Sequence, residues 1–154
     1  QKTAVLLGFS LQAGAILAGA SDEDGEQLYE LGISVGMGFQ LMDDYLDSFG
    51  ATAKVGKRIG GDILEKKKTY LWNEMWAVLD VQQRKELLES YGENEAYTIS
   101  VVKEYMDKTE ARNRTLTLAQ SYTNESLTLI QHLKTSGDKS YLKEIVTMLA
   151  GREN

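Results

Sequence analysis

Hydrophobic residues along the chain recur every three or four positions, which is the spacing of one face of an α-helix. The clearest such stripe runs from Leu28 to Phe49. It follows Ser21, a good N-cap residue with acidic residues just after it, and it predicts a long helix ending at Gly50. The stretch Ala4–Ala20 is apolar on nearly every side but is shorter than the ~20 residues that a membrane helix needs. We therefore predict a helix there that is buried on most sides.

The second half of the chain predicts further helices separated by short turns. Asp80 begins a capping box, and Gly92 is a natural stop for the helix that follows it. Helical spacing resumes after Asn94, with a break expected near Lys108, and a final helix covers Tyr141–Leu149. No proline, the residue that helix interiors exclude, occurs anywhere in the chain. The predicted fold class is all-α.

Composition and charge argue against several classes of function. The chain has no cysteine and a single histidine, His132, which argues against disulfides, thiolate or His-based metal sites and a Ser-His-Asp triad. Its formal net charge of -6 is the wrong sign for general nucleic-acid binding. We also expect neither a signal peptide nor a membrane-spanning segment. These features favour a cytoplasmic protein that is not an integral membrane protein.

Three aspartates lie together near the C-terminal end of the long predicted helix. Asp43 and Asp47 are one helical turn apart on the same face, with Asp44 beside them. Like charges at this spacing, at the negative end of the helix dipole, destabilise an isolated helix. A hard divalent cation reverses both penalties, and the all-oxygen ligand set indicates Mg²⁺ or Mn²⁺. A solvated acidic face is the alternative, although the apolar residues around the aspartates place them beside a core.

A loop rich in glycine and lysine follows the aspartates, from Gly50 to Lys68. Glycines let backbone N–H groups approach an anion, and the lysines supply positive charge. An EF-hand fits poorly because Ser48 stands where that motif needs glycine, and the glycine spacing does not fit a Walker A loop. An ordinary basic surface loop is the alternative. Together with the aspartates, however, the loop favours a site in which acids hold a metal, the metal holds a phosphate and lysines neutralise the rest.

The stretch GFQLMDDYLDSFG, followed by GKRIGGDILEKKKTYLW, resembles the trans-isoprenyl diphosphate synthases, also called polyprenyl synthetases. FQxxDDxxD is the second aspartate-rich motif of that family, and the GK and GGD elements follow it at fitting spacing. The pair Lys2-Thr3 resembles the family's KT pair on the preceding helix. The resemblance implies a large all-α bundle that acts as a homodimer. It also implies a reaction in which an allylic diphosphate ionises and isopentenyl diphosphate attacks the cation.

The resemblance also implies a role for each matching residue. The metal ligands are Asp43, Asp44 and Asp47, and Asp62 orients metal-bound water from outside the ligand set. Three lysines bind the allylic diphosphate: Lys2, Lys57 and Lys67. Three further residues face the reacting groups: Thr3 and Gln40 turn their oxygens towards the developing cation, and Phe39 lines the isopentenyl side.

The sequence departs from the family pattern at two places. A second DDxxD motif and the upstream basic residues that bind isopentenyl diphosphate do not occur in it, so it matches only the C-terminal half of the pattern. Ala51-Thr52 also stands where the family often has an acidic residue and a proline. We therefore expect residues 1–154 to form a single partial domain of a large helical bundle, with the N-terminal half missing.

Several expectations follow for the function. The chain belongs to a short-chain synthase making farnesyl or geranylgeranyl diphosphate, and on its own it is inactive. Apolar faces that the missing half normally covers promote homo-oligomer formation. A non-catalytic regulatory or scaffold subunit of the same family is the alternative, although intact acids and lysines argue against it. A terpene cyclase-like enzyme is a further alternative, but the FQ and GK/GGD elements favour the chain-elongating branch.

Overall fold

The computed structural model describes residues 2–50, 59–134 and 137–151, which form α-helices and contain no strand. The all-α prediction is therefore confirmed. In chain order the helices are α1 (Lys2–Leu17), α2 (Asp22–Phe49), α3 (Gly61–Leu64), α4 (Tyr70–Val78), α5 (Val81–Ser90), α6 (Glu95–Lys108), α7 (Ala111–His132) and α8 (Ser140–Ala150).

Capping residues set several of the helix ends. At the start of α2, Ser21 Oγ accepts a hydrogen bond from the N–H of Asp24 at 3.2 Å. At the start of α5, Asp80 forms the predicted capping box with Gln83. The break expected near Lys108 lies between α6 and α7.

The chain divides into two compact units. Unit 1 comprises Gln1–Met42 and Leu118–Asn154, and unit 2 comprises Asp43–Thr117, so the division falls inside α2 and inside α7. In unit 1, apolar residues from α1, α2, α7 and α8 share one core: Leu11, Leu28, Leu31, Val35, Leu127, Ile130, Leu142 and Val146. In unit 2, the core joins α4, α5 and α6 through fully buried side chains: Leu71, Met75, Leu87, Val102 and Met106.

Within unit 1, α1 and α2 touch backbone to backbone. A Cβ added at Gly32 would lie 2.5 Å from Gly8 Cα, closer than real Cβ atoms come to any neighbour. A Cβ added at Gly36 would overlap the backbone of Ala4 in the same way. The glycines of α2 therefore allow a close crossing, which offsets the helix propensity that each of them costs.

The prediction that the first apolar stretch is buried on most sides is wrong for the residues that the structure describes. Ala4, Gly8 and Ala15 are buried on the face of α1 that packs within unit 1. Large side chains on its other faces are exposed, among them Leu6 (65%), Phe9 (61%) and Leu17 (88%). The described residues cover only one face of the helix, and burial depends on what packs against a residue rather than on its hydrophobicity.

The apolar first helix also bears on the membrane prediction. Among the residues that the structure describes, no helix combines the length and the apolar character needed to cross a membrane.

Candidate functional site

The aspartates occupy the last two turns of α2, where the helix lies against the core of unit 2. Asp44 is 6% exposed, because α2 buries Tyr45 and Ser48 on the neighbouring positions. Asp43 is exposed and Asp47 is half-buried. Successive helical residues are rotated by 100° about the axis, so the three carboxylates are exposed to different degrees. Asp43 is the most exposed and Asp44 the least.

The short helix α3 returns the chain to this end of α2. The N–H of Gly60 donates to the Asp47 carbonyl oxygen at 2.7 Å, and the N–H of Asp62 donates to Asp47 Oδ2 at 2.9 Å. Gly60 has φ of 82°, in the left-handed region that side chains disfavour, and a Cβ there would lie 2.8 Å from Ile99 Cδ1. The first glycine of the GGD sequence is therefore required by both conformation and space.

Lys67 adds a positive charge to the cluster formed by Asp43, Asp44, Asp47 and Asp62. Its Nζ donates to Asp62 Oδ2 at 2.7 Å and lies 3.9 Å from Asp44 Oδ1, while its backbone N–H donates to the Asp62 carbonyl oxygen at 2.9 Å. The neighbouring Lys66 points elsewhere, with its Nζ 4.5 Å from the ring centroid of Tyr91. Of the three consecutive lysines at 66–68, Lys67 is the one that the structure brings to the acids.

The charges of this cluster oppose one another. Burial raises the pKa of Asp47, the hydrogen bond from the Asp62 N–H lowers it, and repulsion by Asp62 raises it again. The hydrogen bond to Asp62 raises the pKa of Lys67, and the charges of Asp44 and Asp47 raise it further. The carboxylates outnumber this lysine, so the cluster keeps a surplus of negative charge that a cation would neutralise.

The donor set fits a hard divalent cation. Its side-chain oxygens all belong to carboxylates, the ligands that Mg²⁺ and Mn²⁺ prefer. In the part of the chain that the structure describes, no three acidic or histidine side chains converge on one metal position. Mg²⁺ is often held by one or two carboxylates and completed by water and substrate phosphates, so a partial set is compatible with it.

The residues predicted to face the reacting groups lie in unit 1. Thr3 Oγ1 donates a hydrogen bond to Gln40 Oε1 at 3.1 Å, which joins the first turn of α1 to α2. Lys2 is exposed beside Thr3. Phe39 is half-buried and lines a cavity among α2, α7 and α8, whose other walls include Ser34, Met42, Thr123 and Leu149. Lys57, also predicted to bind the diphosphate, lies outside the described residues.

The structure adds side chains that the sequence did not point to. Tyr91 Oη donates to the Ile63 carbonyl oxygen at 2.8 Å and so fixes α3, which carries Asp62. Arg112 donates to Tyr45 Oη at 3.2 Å, next to Asp44. Both partners are distant along the chain, and neither residue belongs to a recognisable motif, so no local signal could have identified them.

Comparison with known proteins gives a consistent result. The family model described as polyprenyl synthetase matches residues 1–109. A geranylgeranyl diphosphate synthase of Methanosarcina mazei is 33% identical over 99% of this chain and 46% of its own length. A farnesyl diphosphate synthase of Bacillus subtilis is 51% identical over 46% of this chain and 24% of its own length.

A solved structure is also similar. A crystal structure of geranylgeranyl pyrophosphate synthase matches with a TM-score of 0.84 and 36% identity, over 99% of this chain and 49% of that one. The chain thus spans about half the length, or less, of the relatives that it matches.

Proposed function

Since the chain belongs to the polyprenyl synthetase family, we propose that it provides the C-terminal half of a prenyltransferase that condenses isopentenyl diphosphate with an allylic diphosphate. The observation that carries this proposal is the double engagement of Asp62, which binds Asp47 through its N–H and Lys67 through its carboxylate. This arrangement joins metal-binding acids to a phosphate-binding cation in one cluster.

The acids and lysines have distinct roles in the proposed reaction. Asp43, Asp44 and Asp47 would hold Mg²⁺, or Mn²⁺, and Asp62 would orient water around it. A metal held there would supply positive charge against the leaving pyrophosphate. Lys67, which Asp62 holds in place, presents its ammonium to the allylic diphosphate.

Other residues complete the binding of both substrates. Lys2 and Lys57 contribute further positive charge to the allylic diphosphate. The hydroxyl of Thr3 donates to Gln40, which orients that amide, and both residues turn oxygens towards the carbocation that ionisation produces. Phe39 lines the side where the isopentenyl chain lies.

The finer assignment follows two of the relatives named above. We propose a short-chain product, farnesyl or geranylgeranyl diphosphate, because relatives with those names match this chain. The working enzyme is a cytoplasmic homodimer in which an N-terminal half supplies the other aspartate motif. The intact acids and Lys67 argue against a non-catalytic subunit, which has no need for a costly acidic cluster.

The 154-residue chain alone is expected to give no prenyl transfer when assayed with isopentenyl and dimethylallyl diphosphates, because one aspartate motif supplies only part of the metal ligands that the reaction requires. Measurable turnover by the chain alone would contradict this part of the proposal.

Calorimetry tests the site itself. Titration with magnesium pyrophosphate is expected to give binding that weakens at least about tenfold in the double variant D43N/D47N, which removes two charged ligands. The matched control is D22N/D24N, which removes the same charges from the first turn of α2 and is expected to change affinity less than about twofold. Equal losses in the two double variants, or no binding by the unaltered chain, contradict the proposed function.

A further inference from the structure

The guanidinium of Arg112 contacts the last two turns of α2, where Lys103 Nζ also lies 5.0 Å from the Phe49 ring centroid. The Cζ of Arg112 lies 4.4 Å from the ring centroid of Phe49 and 5.8 Å from that of Tyr45. Its Nη2 also donates to Tyr45 Oη at 3.2 Å. The two rings stack on each other with centroids 5.5 Å apart, so the arginine and both rings form one layered group.

This group lies on the back of the acidic helix. Tyr45 follows Asp43 by two residues and Phe49 follows Asp47 by two, which places each ring about 200° around the helix axis from its aspartate. Arg112 therefore contacts the side of the helix that lies away from Asp43 and Asp47, whereas the buried Asp44 is only one residue from Tyr45. It can hold the helix without competing with a metal or a phosphate for Asp43 and Asp47.

Arg112 is itself held at a fixed point of unit 2. It is the second residue of α7, directly after Ala111, which is fully buried. Its Nη1 lies 3.5 Å from Asp107 Oδ1 at the end of α6. Through the side chain of Arg112, the end of α2 is thus connected to α6 and α7 of the same unit.

The end of α2 needs such a tie because the last carbonyl groups of a helix have no intrahelical partner and the last turn frays easily. A guanidinium there also complements the negative end of the helix dipole. The turn in question carries Asp47, whose carboxylate accepts the N–H of Asp62, and Asp62 in turn binds Lys67. Fraying of the turn would release the whole series of contacts.

We propose that Arg112 is a positioning residue for the acid–lysine cluster: stacked on Phe49 and bonded to Tyr45, it keeps the last turn of α2 closed, so that Asp47 holds Asp62 and, through it, Lys67. The link to catalysis rests on the proposed function. The link between Arg112 and the Asp47–Asp62 contact does not, and it can be measured without any ligand.

Amide hydrogen exchange of Asp62, followed by NMR in the full 154-residue chain, measures that contact directly. R112A is expected to raise the Asp62 exchange rate about tenfold, the equivalent of one lost cation–π contact and one hydrogen bond to a charged donor. The matched control is K108A, which removes one positive charge from the neighbouring helix and is expected to change the rate less than about twofold. An unchanged rate in R112A, or an equal rise in K108A, overturns the proposal.

Two milder variants separate positioning from general loss of structure. R112K keeps the charge but loses the planar donor and the stacking, so the Asp62 rate is expected to rise by at least about threefold. Y45F keeps the ring and removes only the hydroxyl that accepts from Arg112, and a rise of about threefold is expected with core amides such as Leu71 unchanged. If R112A unfolds the unit, the Asp62 exchange rate in Y45F becomes the deciding measurement. An unchanged Asp62 rate in Y45F overturns the proposal.

Magnesium pyrophosphate calorimetry distinguishes the two possible failures. An unaltered chain that does not bind contradicts the proposed function and leaves the exchange result to judge Arg112. An unaltered chain that binds, with an affinity that R112A weakens about tenfold and K108A does not, supports both. Binding that R112A and Y45F leave unchanged contradicts the positioning role alone.

Discussion

Helix α2 is held at its two ends by different kinds of contact. Its first part, in unit 1, approaches α1 so closely that Gly32 and Gly8 leave no room for a Cβ. Its last turns, in unit 2, are held by polar and aromatic side chains, among them Asp47 with Asp62 and Tyr45 with Arg112. The first part is fixed by backbone contact, and the last turns are fixed by contacts between side chains and by hydrogen bonds.

The two kinds of contact have different consequences: the backbone contact contributes to stability, and the polar contacts place charged groups together. Backbone contact tolerates no added atom, so it sets the position of α1, and with it Thr3, without leaving any charge behind. The polar contacts at the other end are partly open to water, where each ion pair adds little stability. They instead keep acidic and basic groups close together, as the proposed binding of a metal and a diphosphate requires.

The largest effect is expected from breaking the backbone contact. G32A places a methyl group against the Gly8 backbone and is expected to lower the free energy of unfolding by about 3 kcal/mol. The matched control is G14A on α1, where an added Cβ meets no atom within 4 Å, and it is expected to raise that free energy by ~0.5–1 kcal/mol. Urea unfolding followed by circular dichroism measures both. Similar shifts in the two variants would show that α1 and α2 do not touch as described.

Removing the lysine of the acidic cluster is expected to affect binding more than stability. K67A takes away the ammonium group that contacts Asp62 and Asp44 and should weaken magnesium pyrophosphate binding about tenfold, while the free energy of unfolding changes by less than ~1 kcal/mol. K68A, which removes the exposed neighbouring lysine, serves as the control and should change affinity less than about twofold. Calorimetry and urea unfolding give the two quantities. Equal affinity losses in both variants would contradict a specific role for Lys67.

Tyr91 links stability to pH. Y91F removes the hydroxyl that donates to Ile63 and is expected to cost about 1 kcal/mol of unfolding free energy at pH 8. Burial raises the pKa of Tyr91 to about 12, so between pH ~10 and that value the phenol is ionised in the unfolded chain and neutral in the folded one. The stability that Tyr91 contributes is therefore complete below pH ~10 and is lost as pH rises towards 12. Urea unfolding from pH 8 to 11.5 should show the advantage of the unaltered chain over Y91F shrinking above pH ~10 and reversing by pH ~11, and parallel curves would contradict this.

The smallest effect is expected at an exposed ion pair of unit 1. Lys134 Nζ lies 2.6 Å from Glu23 Oε1, but both side chains are largely exposed. K134A is expected to change the free energy of unfolding by less than ~0.5 kcal/mol, and the loss should vanish in 1 M salt. A loss comparable to that of G32A would mean that charge, rather than backbone contact, stabilises this unit.

Local features of the sequence predicted most helix ends and the acidic cluster. Ser21 and Asp80 act on residues three positions away, so their capping roles can be read without the fold. The pairing of Lys67 with Asp62 spans five residues and is similarly local. The exposure of Phe9 could not be foreseen, because burial depends on which parts of the chain pack against a helix.

The contacts that hold the site in place were beyond prediction because they join distant parts of the chain. Arg112 and Tyr45 are 67 positions apart, and Tyr91 and Ile63 are 28 apart. Arginine and tyrosine at such separations form many alternative contacts, and only the packing of the helices selects one. The sequence therefore points to the acids and the lysine that the structure brings together, but not to the side chains that support them.

Paramagnetic broadening by Mn²⁺ tests the central claim most directly. Mn²⁺ added with pyrophosphate to the ¹⁵N-labelled chain is expected to broaden the NMR signals of Asp43, Asp44, Asp47 and Asp62 first, because these carboxylates surround the proposed metal position. The acidic first turn of α2, residues 22–24, provides an internal control with ordinary surface acids. Broadening that begins at residues 22–24, or that spreads evenly over all acidic residues, would contradict the account.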